Sequence, residues 1–116
     1  MNKVLIIGRT TRDIELRYTT GENPLAVAHF TLAVDRKKSD DTDFIPCTAW
    51  GKRAEMMERW VKKGHKISVT GNIRSGSYTN KEGQKVYTIE VMAEEIDFLE
   101  PKKQGTYGQP VEDLPF

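Results

Sequence analysis

One helical pattern set among strand-like segments constrains the fold more than any other feature. Over residues 52–63, apolar side chains recur at intervals of three and four residues, which places them along one side of an α-helix. The recurring residues are Ala54, Met57, Trp60 and Val61. Gly64 follows and predicts the end of the helix. We therefore expect one helix, with this stripe, Trp60 included, facing the core.

The remaining strand signals fall into six segments, of which the second continues the first. In chain order they are Asn2–Gly8, Asp13–Tyr18, Ala26–Val34, Phe44–Trp50, His65–Arg74 and Val86–Phe98. The order is thus three strands, one helix and two strands. It is typical of a mainly β fold, the five-stranded OB-fold barrel, with its helix between the third and fourth strands. Other small α+β domains share this order. Pro46 indicates that the third strand lies at an edge or carries a bulge.

Turn-forming and low-complexity segments divide the chain. Residues 75–85 predict a long, protruding hairpin between the fourth and fifth strands. From residue 100 the sequence shifts to Pro, Gly, Gln and Lys, which indicates a linker. We therefore predict a folded domain over residues 1–100, a flexible linker over 101–111 and an interaction tip over 112–116. The C-terminal tail as a whole is expected to be disordered.

Charge is distributed unevenly between the body and the tip. Residues 1–103 carry 18 basic and 15 acidic groups, whereas the tip adds two acids and no base. The tip residues are Glu112, Asp113, Leu114, Pro115 and Phe116. A mildly basic body suits a polyanion, and an acidic-apolar tip suits a basic-rimmed apolar pocket on another protein. A frayed terminus is the alternative interpretation of the tip.

Length and composition exclude several classes. A chain of 116 residues is one domain of common size. It has no apolar run of membrane-spanning length, and its first residues lack the apolar stretch of a secretory signal. Cys47 is the single cysteine, so no intramolecular disulfide forms, and a reducing cytosol is expected. We interpret Cys47 as a small buried hydrophobe.

Aromatic and basic residues are interleaved where the chain is expected to be exposed. Phe44 and Trp50 flank the third strand, and Tyr78 lies in the long hairpin. The neighbouring basic residues are Arg9, Arg12, Arg17, Arg36, Lys37, Lys38, Lys52, Arg53, Arg74, Lys81 and Lys85. Single-stranded nucleic acid is bound by this mixture, since cations follow the phosphates and rings stack on unpaired bases.

The three rings differ in how firmly the sequence places them. Phe44 and Trp50 are six residues apart and share a face in an unbulged strand. That face is either the core or the exterior. Tyr78 has no apolar neighbours in its hairpin, which favours exposure.

Enzyme chemistry finds little support. His29, His65 and Cys47 are scattered and lack a metal-ligand spacing. The acidic run 40–43 lacks the glycine and distal glutamate of a calcium loop. We predict no catalytic residue, no metal site and no cofactor.

Taken together, these features resemble the bacterial and phage single-stranded DNA-binding proteins over residues 1–100 and at the tip. The segments that carry the resemblance are Asn2-Lys3-Val4, Ile7-Gly8-Arg9, Leu16-Arg17-Tyr18, Val27-Ala28, Thr31-Leu32-Ala33, Ala49-Trp50-Gly51-Lys52, Ala54-Glu55, Lys63-Gly64, Gly71-Asn72-Ile73-Arg74, Tyr87-Thr88-Ile89-Glu90-Val91 and Leu114-Pro115-Phe116.

The resemblance implies a homotetramer of OB-folds that wraps single-stranded DNA. It assigns base stacking to Phe44, Trp50 and Tyr78. It assigns backbone contacts to the basic residues Lys3, Lys52, Lys63 and Arg74. The tip would dock onto replication, recombination and repair enzymes through Phe116 and its carboxylate.

This sequence departs from the family pattern in three places. The loop 36–43 is short and lacks the aromatic residue that many relatives carry. Ile45 stands where many relatives have a histidine at a subunit contact. The linker of about ten residues spans at most ~35 Å, so the tip would reach only nearby partners.

The expected function is therefore sequence-independent binding and protection of single-stranded DNA, with recruitment of partner enzymes, in the cytoplasm at the nucleoid. Two alternatives remain. One is an OB-fold adaptor of replication restart that acts mainly through protein–protein contacts. The other is a small enzyme acting on nucleic acid, for which no nucleophile or metal cluster is visible.

Overall fold

The computed structural model describes residues 1–99, which form six β-strands and one α-helix. In chain order the elements are β1 (Val4–Thr10), β2 (Glu15–Tyr18), β3 (Ala26–Asp35), β4 (Thr42–Trp50), α1 (Lys52–Trp60), β5 (Lys66–Thr79) and β6 (Lys85–Phe98). The predicted linker, interaction tip and disordered tail lie outside the described residues. Within residues 1–99 no helix has the length and apolar character needed to cross a membrane.

Five of the strands close into a barrel. The hydrogen-bonded order is β1–β5–β6–β4–β3, and the ring closes where Arg9 and Thr10 of β1 pair with Ala33 and Leu32 of β3. β2 also pairs antiparallel with β3, so it continues the line of β1 along the same neighbour. The predicted five-stranded OB-fold barrel is confirmed, with its first strand divided into β1 and β2.

β4 is paired along its full length on one side only. It pairs with β3 from Thr42 to Trp50, but in the described residues it meets β6 only at Cys47 and Thr48. Pro46 lies in the stretch that has no ladder on the β6 side. Because proline lacks a backbone N–H, this gap in the ladder suits it, but β4 lies between β3 and β6, so the prediction of an edge strand holds only locally at Pro46.

The core lies inside the barrel and consists mainly of small and branched side chains. β3 contributes Ala28, Phe30 and Leu32, and β4 contributes Cys47 and Ala49. α1 packs against β2, β3 and β4. The buried side chains of the helical region are Ala54, Met57 and Val61. Burying a side chain of the size of Leu32 stabilises the fold by about 1.5–3 kcal/mol.

The helix is shorter than predicted, and its tryptophan is not in the core. α1 ends at Trp60, and Val61 already has extended backbone angles, φ −102° and ψ 125°. Val61 takes the buried position, while Trp60 is 55% exposed. The prediction that Trp60 is a core residue is wrong, because Trp60 lies at the edge of the apolar stripe beside the exposed Met56, and the barrel covers only the part of the helical region that holds Ala54, Met57 and Val61.

Two glycines are required by the backbone. Gly51, at φ 66°, makes the sharp turn from β4 into α1. Gly71 lies at a register shift between β5 and β6, where an added Cβ would stand 1.9 Å from the carbonyl oxygen of Met92. Gly51 thereby places Trp50 and the start of the helix next to each other.

The predicted hairpin is confirmed, and its strands are longer than the sequence indicated. β5 and β6 pair as far as Thr79 and Lys85. Asn80 closes the turn, since its Oδ1 accepts hydrogen bonds from the backbone N–H of Glu82 at 3.0 Å and of Gln84 at 2.9 Å. We call residues 73–89 the arm, because most of their side chains are exposed.

Candidate nucleic-acid interface

The strand register places rings and cations together on the outward side of β1–β4. Residues paired directly across adjacent strands point to the same side of a sheet. Two such rows each hold an arginine, a small apolar residue and an aromatic residue. The rows are Arg17–Val27–Trp50 and Arg9–Ala33–Phe44. Along each strand these residues alternate with the core residues, so they point away from the barrel interior. We call this side of β1–β4 the outer face.

Phe44 and Trp50 stand exposed on the outer face. Phe44 is 63% exposed and Trp50 is 38% exposed. The pairing of β3 with β4 is continuous from Thr42 to Trp50, so the two rings share a side, about 20 Å apart along the strand. The sequence left open whether the shared face of Phe44 and Trp50 is the core or the exterior, and the structure shows that it is the exterior. Their separation leaves room for other groups between them.

A hydrogen-bonded row crosses the centre of the outer face. Glu15, His29 and Thr48 are paired across β2, β3 and β4. The Thr48 hydroxyl donates to the carboxylate of Glu90 on β6, and His29 Nδ1 lies 3.1 Å from the same hydroxyl. Since a hydroxyl has one proton, the imidazole N–H is the donor to Thr48. This chain of bonds links β3, β4 and β6 where the β4–β6 ladder is short.

A cavity of about 240 Å³ lies at this centre. Arg12, Glu15, His29 and Glu90 are among the residues that line it. Two carboxylates against one guanidinium leave an excess of negative charge in this lining, which disfavours phosphate, whereas the rows on either side carry Arg17 and Arg9. The geometry therefore favours anionic groups at the two ends of the outer face.

The arm extends this side of the molecule. Arg74 of β5 lies directly across the ladder from Glu90 of β6. Tyr78 follows Arg74 by four residues and is on the same side of β5. Because the Glu90 side chain reaches Thr48, the side of the arm with Arg74 and Tyr78 is continuous with the outer face. Tyr78 is 56% exposed, as predicted.

The opposite side of the arm carries another exposed ring, Tyr87, which the sequence did not identify as a site residue. Lys85 Nζ lies 5.6 Å from the centroid of this ring.

Several of the predicted phosphate-binding residues have protein partners. Lys3 lies 3.5 Å from Glu94, and Arg17 lies 3.8 Å from Glu15. Arg9 donates to the backbone carbonyl of Gly64 at 2.9 Å. Exposed pairs of this kind are weak, so they orient the cations without removing them from solvent or from a phosphate.

Other predicted cations are exposed and carry no ion pair within the described part of the chain. They are Lys37, Lys38, Lys52, Arg53, Lys63 and Lys81. Lys37 and Lys38 belong to the β3–β4 loop, Lys52 and Arg53 begin α1, and Lys81 is in the turn of the arm. The fold thus distributes these residues over the β3–β4 loop, the two ends of the helical region and the turn of the arm.

Arg36 is the most strongly engaged of the basic residues. Its guanidinium donates to Asp43 at 2.8 Å and 3.2 Å, and Asp41 lies 3.7 Å away. The hydrogen bond and the opposite charge raise the pKa of Arg36, and the hydrogen bond from Arg36 lowers the pKa of Asp43. This pair stabilises the loop that leads into Phe44.

Cys47 is buried, as predicted, and burial together with the negative charge of Glu90 raises its pKa to about 12. A thiol with such a pKa is protonated at neutral pH and is a poor nucleophile. Among residues 1–99 no group of three or more His, Cys, Asp or Glu side chains is arranged to hold a metal ion.

The fold and this side of the molecule together define a class. A closed barrel of this topology, with a helix between β4 and β5 and a side that carries rings and cations, is an OB-fold domain.

Comparison with known proteins gives the family. The Single-strand binding protein family matches residues 1–99, and the chain belongs to it. The single-stranded DNA-binding protein of Clostridium perfringens is 47% identical, over 93% of this chain and 72% of that protein. Single-stranded DNA-binding protein 1 of Streptococcus pyogenes is 44% identical, over all of this chain and 99% of that protein. Single-stranded DNA-binding protein A of Bacillus subtilis is 43% identical, over 93% of this chain and 64% of that protein.

Proposed function

We propose that this chain binds single-stranded DNA without sequence preference. The observation that carries the proposal is the exposure of Phe44 and Trp50 on one side of β4, each in a row with an arginine. Flat rings stack on unpaired bases of any sequence, and nearby cations hold the phosphates. The similar proteins of Clostridium perfringens and Streptococcus pyogenes are named single-stranded DNA-binding proteins, which supports the assignment of the ligand.

The proposed roles follow from side-chain type and position. Phe44, Trp50 and Tyr78 stack on bases, each contributing about 1–3 kcal/mol. The phosphate contacts are assigned to Lys3, Arg9, Arg17, Arg36, Lys37, Lys38, Lys52, Arg53, Lys63, Arg74, Lys81 and Lys85. The central carboxylates Glu15 and Glu90 keep the phosphates away from the middle of the outer face, so the strand crosses it with bases inward and its backbone at the rim.

A titration with oligo-dT at two NaCl concentrations tests the proposal. Trp50 and Trp60 are the two tryptophans of the chain. We expect quenching of tryptophan fluorescence on binding and an affinity that declines steeply as salt rises, because bound cations displace counterions from the strand. Absence of binding would overturn the proposal, and a flat salt response would remove the phosphate contacts from it.

We further propose that the chain assembles as a homotetramer. Leu5 and Ile7 of β1 are exposed, although their neighbours Val4 and Ile6 pack on the core. Exposed apolar side chains that recur along one side of a strand favour association with another copy. Light scattering should give four times the 13.2 kDa chain mass, and Leu5→Asp should lower it. A monomeric wild-type chain would contradict the assembly.

The domain division is also a proposal. We assign residues 1–100 to the DNA-binding domain, 101–111 to a linker and 112–116 to a tip that recruits partner enzymes. Support for the tip is its sequence, two acids followed by Leu, Pro and Phe. Deleting residues 112–116 should leave oligo-dT affinity unchanged or slightly higher, and should abolish pull-down of the enzymes. Undiminished capture by the shortened chain would remove the recruiting role.

In the cell, this activity would protect single-stranded DNA during replication, recombination and repair, in the cytoplasm at the nucleoid. We assign no catalytic activity and no cofactor. The adaptor alternative predicts weak oligo-dT binding and dimers, and the enzyme alternative predicts a metal-dependent nuclease activity. The titration, the light scattering and a nuclease assay with and without divalent metal separate the three.

A further inference from the structure

The outward side of α1 carries a second set of exposed apolar and basic side chains. Lys52, Met56 and Trp60 are spaced at four and four residues, so they form one stripe along the helix. Trp60 is 55% exposed and Met56 is 41% exposed. The buried stripe of the helix lies elsewhere on it, at Ala54 and Met57. A large exposed ring beside an exposed methionine is an apolar surface that nothing in residues 1–99 covers.

The stripe borders a groove. Lys52, Glu55, Met56, Arg59 and Trp60 line a cavity of about 260 Å³ on the helix surface. Two cations and one ring therefore share one concave surface with a single carboxylate. The Tyr18 hydroxyl lies 3.5 Å from Glu55 Oε2 and leaves the negative charge of this carboxylate in place, so the two cations exceed it by one charge. We call this surface the helix groove.

The helix groove begins where the outer face ends. Trp50 is the last residue of β4, Gly51 turns the chain, and Lys52 opens α1. With a rise of about 1.5 Å per residue, Trp60 lies roughly 12 Å along the helix from Lys52. The last ring of the outer face and the first cation of the groove are therefore two residues apart, on either side of the turn at Gly51.

We propose that the helix groove is a further subsite for single-stranded DNA, in which a nucleobase stacks on Trp60 against Met56 and the adjoining phosphates lie between Lys52 and Arg59. The occupant is assigned from charge complementarity and from continuity with the outer face. A ring with neighbouring cations is the combination that binds unpaired nucleotides, and it selects no base. The inference rests on the proposed function and extends the path of the strand beyond Trp50.

Two single-tryptophan variants separate the subsite from the rest of the interface. Trp50→Phe leaves Trp60 as the sole tryptophan, and Trp60→Phe leaves Trp50, while each keeps a ring at the changed position. Binding is followed by anisotropy of a fluorescein-labelled oligo-dT long enough to cover both rings, and tryptophan emission is recorded in the same titration. We expect the tryptophan emission to be quenched in both variants.

Two outcomes would contradict the proposals. If the Trp50→Phe variant binds, as shown by a rise in anisotropy, but its Trp60 emission does not change, the subsite is overturned and the proposed function stays intact. Absence of an anisotropy change in both variants and in the wild type would instead overturn the proposed function.

Affinity measurements provide a second readout. Trp60→Ala should weaken binding of a long oligo-dT by about fivefold or more, the smallest loss expected for one lost stack, and Trp60→Phe should retain most of the affinity. Binding of an oligo-dT too short to extend past Trp50 should be the same in all three proteins. Tyr87→Ala, which removes an exposed ring from the opposite side of the arm, serves as the matched control. Equal affinities of the wild type and Trp60→Ala for the long oligonucleotide would overturn the subsite.

Discussion

The rings of the outer face and the ring of the arm are all exposed, but the backbone behind them differs. Phe44 and Trp50 belong to β4, whose alternate residues Cys47 and Ala49 are buried in the core. Tyr78 belongs to the arm, where its cross-strand partner Val86 is only partly buried and most other side chains are exposed. The first pair is fixed by a packed interior, whereas the third ring depends on a two-stranded ladder.

The difference teaches how the two regions would contribute to one interface. A hairpin with no core behind it is marginally stable by itself, so the arm adjusts its position at little cost. A strand backed by a filled barrel does not adjust, so Phe44 and Trp50 hold a preset spacing. Under the proposed function, the outer face thus offers two rings at a fixed spacing, and the arm offers its ring from a less well packed ladder.

The largest expected effect comes from removing one ring of each region. Trp50→Ala combined with Tyr78→Ala should weaken poly-dT binding by about 30-fold or more, since two stacks at ~1–3 kcal/mol each are lost. Fluorescence anisotropy with labelled poly-dT measures the loss. The single variants show how it divides between the two regions. Tyr87→Ala is the control and should stay within about twofold of wild type. A double variant with unchanged affinity would refute the stacking assignment.

The next effect concerns stability. Leu32→Ala, in the fully buried core beneath the outer face, should lower the free energy of unfolding by about 2–5 kcal/mol, because it leaves a cavity. Ile89→Ala, at an exposed position of the arm, should change it by no more than about 0.5 kcal/mol. Urea denaturation followed by circular dichroism compares the two. Equal losses would show that the arm is as well packed as the barrel.

A smaller effect is expected in the salt dependence of binding. Arg17→Gln removes a cation of the outer face, and Lys81→Gln removes one from the turn of the arm. Each should reduce the slope of log affinity against log salt by about 0.7, the value for one phosphate contact on a single strand. A reduced slope in only one variant would restrict the phosphate contacts to that region. Unchanged slopes in both would contradict the assignment of these two residues.

The smallest effect concerns the loop before Phe44. Arg36 lowers the pKa of Asp43, so their pair stabilises the fold at pH values above the ordinary range of an aspartate. That contribution is lost as the pH falls through the lowered pKa of Asp43. Side-chain NMR titration should place Asp43 below the ordinary aspartate range in the wild type and return it towards that range in Arg36→Gln. The same titration midpoint in both proteins would show that the pair does not persist in solution.

Much of the fold can be predicted from local sequence patterns. The alternation over residues 26–34 correctly predicts a strand, because one side of β3 fills the barrel. The turn chemistry around Asn80 gave the hairpin, since its side chain satisfies the backbone of the turn. Tyr78 was placed outside correctly because no apolar neighbour accompanies it. These features depend on residues close together in the chain.

Trp60 shows where local patterns fail. Its spacing from Met57 is the same as that of a core residue, but it lies at the edge of the stripe beside the exposed Met56 and stays in solvent. A helical stripe predicts which residues share a side of the helix, but not how much of that side the barrel covers. Because Trp60 was assigned to the core, the sequence did not predict the exposed ring of the helix groove.

The sequence by itself determined the succession of strands and helix, the alternation of side chains and the presence of three rings among basic residues. Tertiary structure alone decided which side of β4 faces the interior and that Arg17 and Arg9 stand in rows with Trp50 and Phe44. The reason is physical. Alternation fixes only the relation between neighbours, whereas closure of β3 onto β1 fixes which side is enclosed, and that choice depends on contacts between residues far apart in the chain.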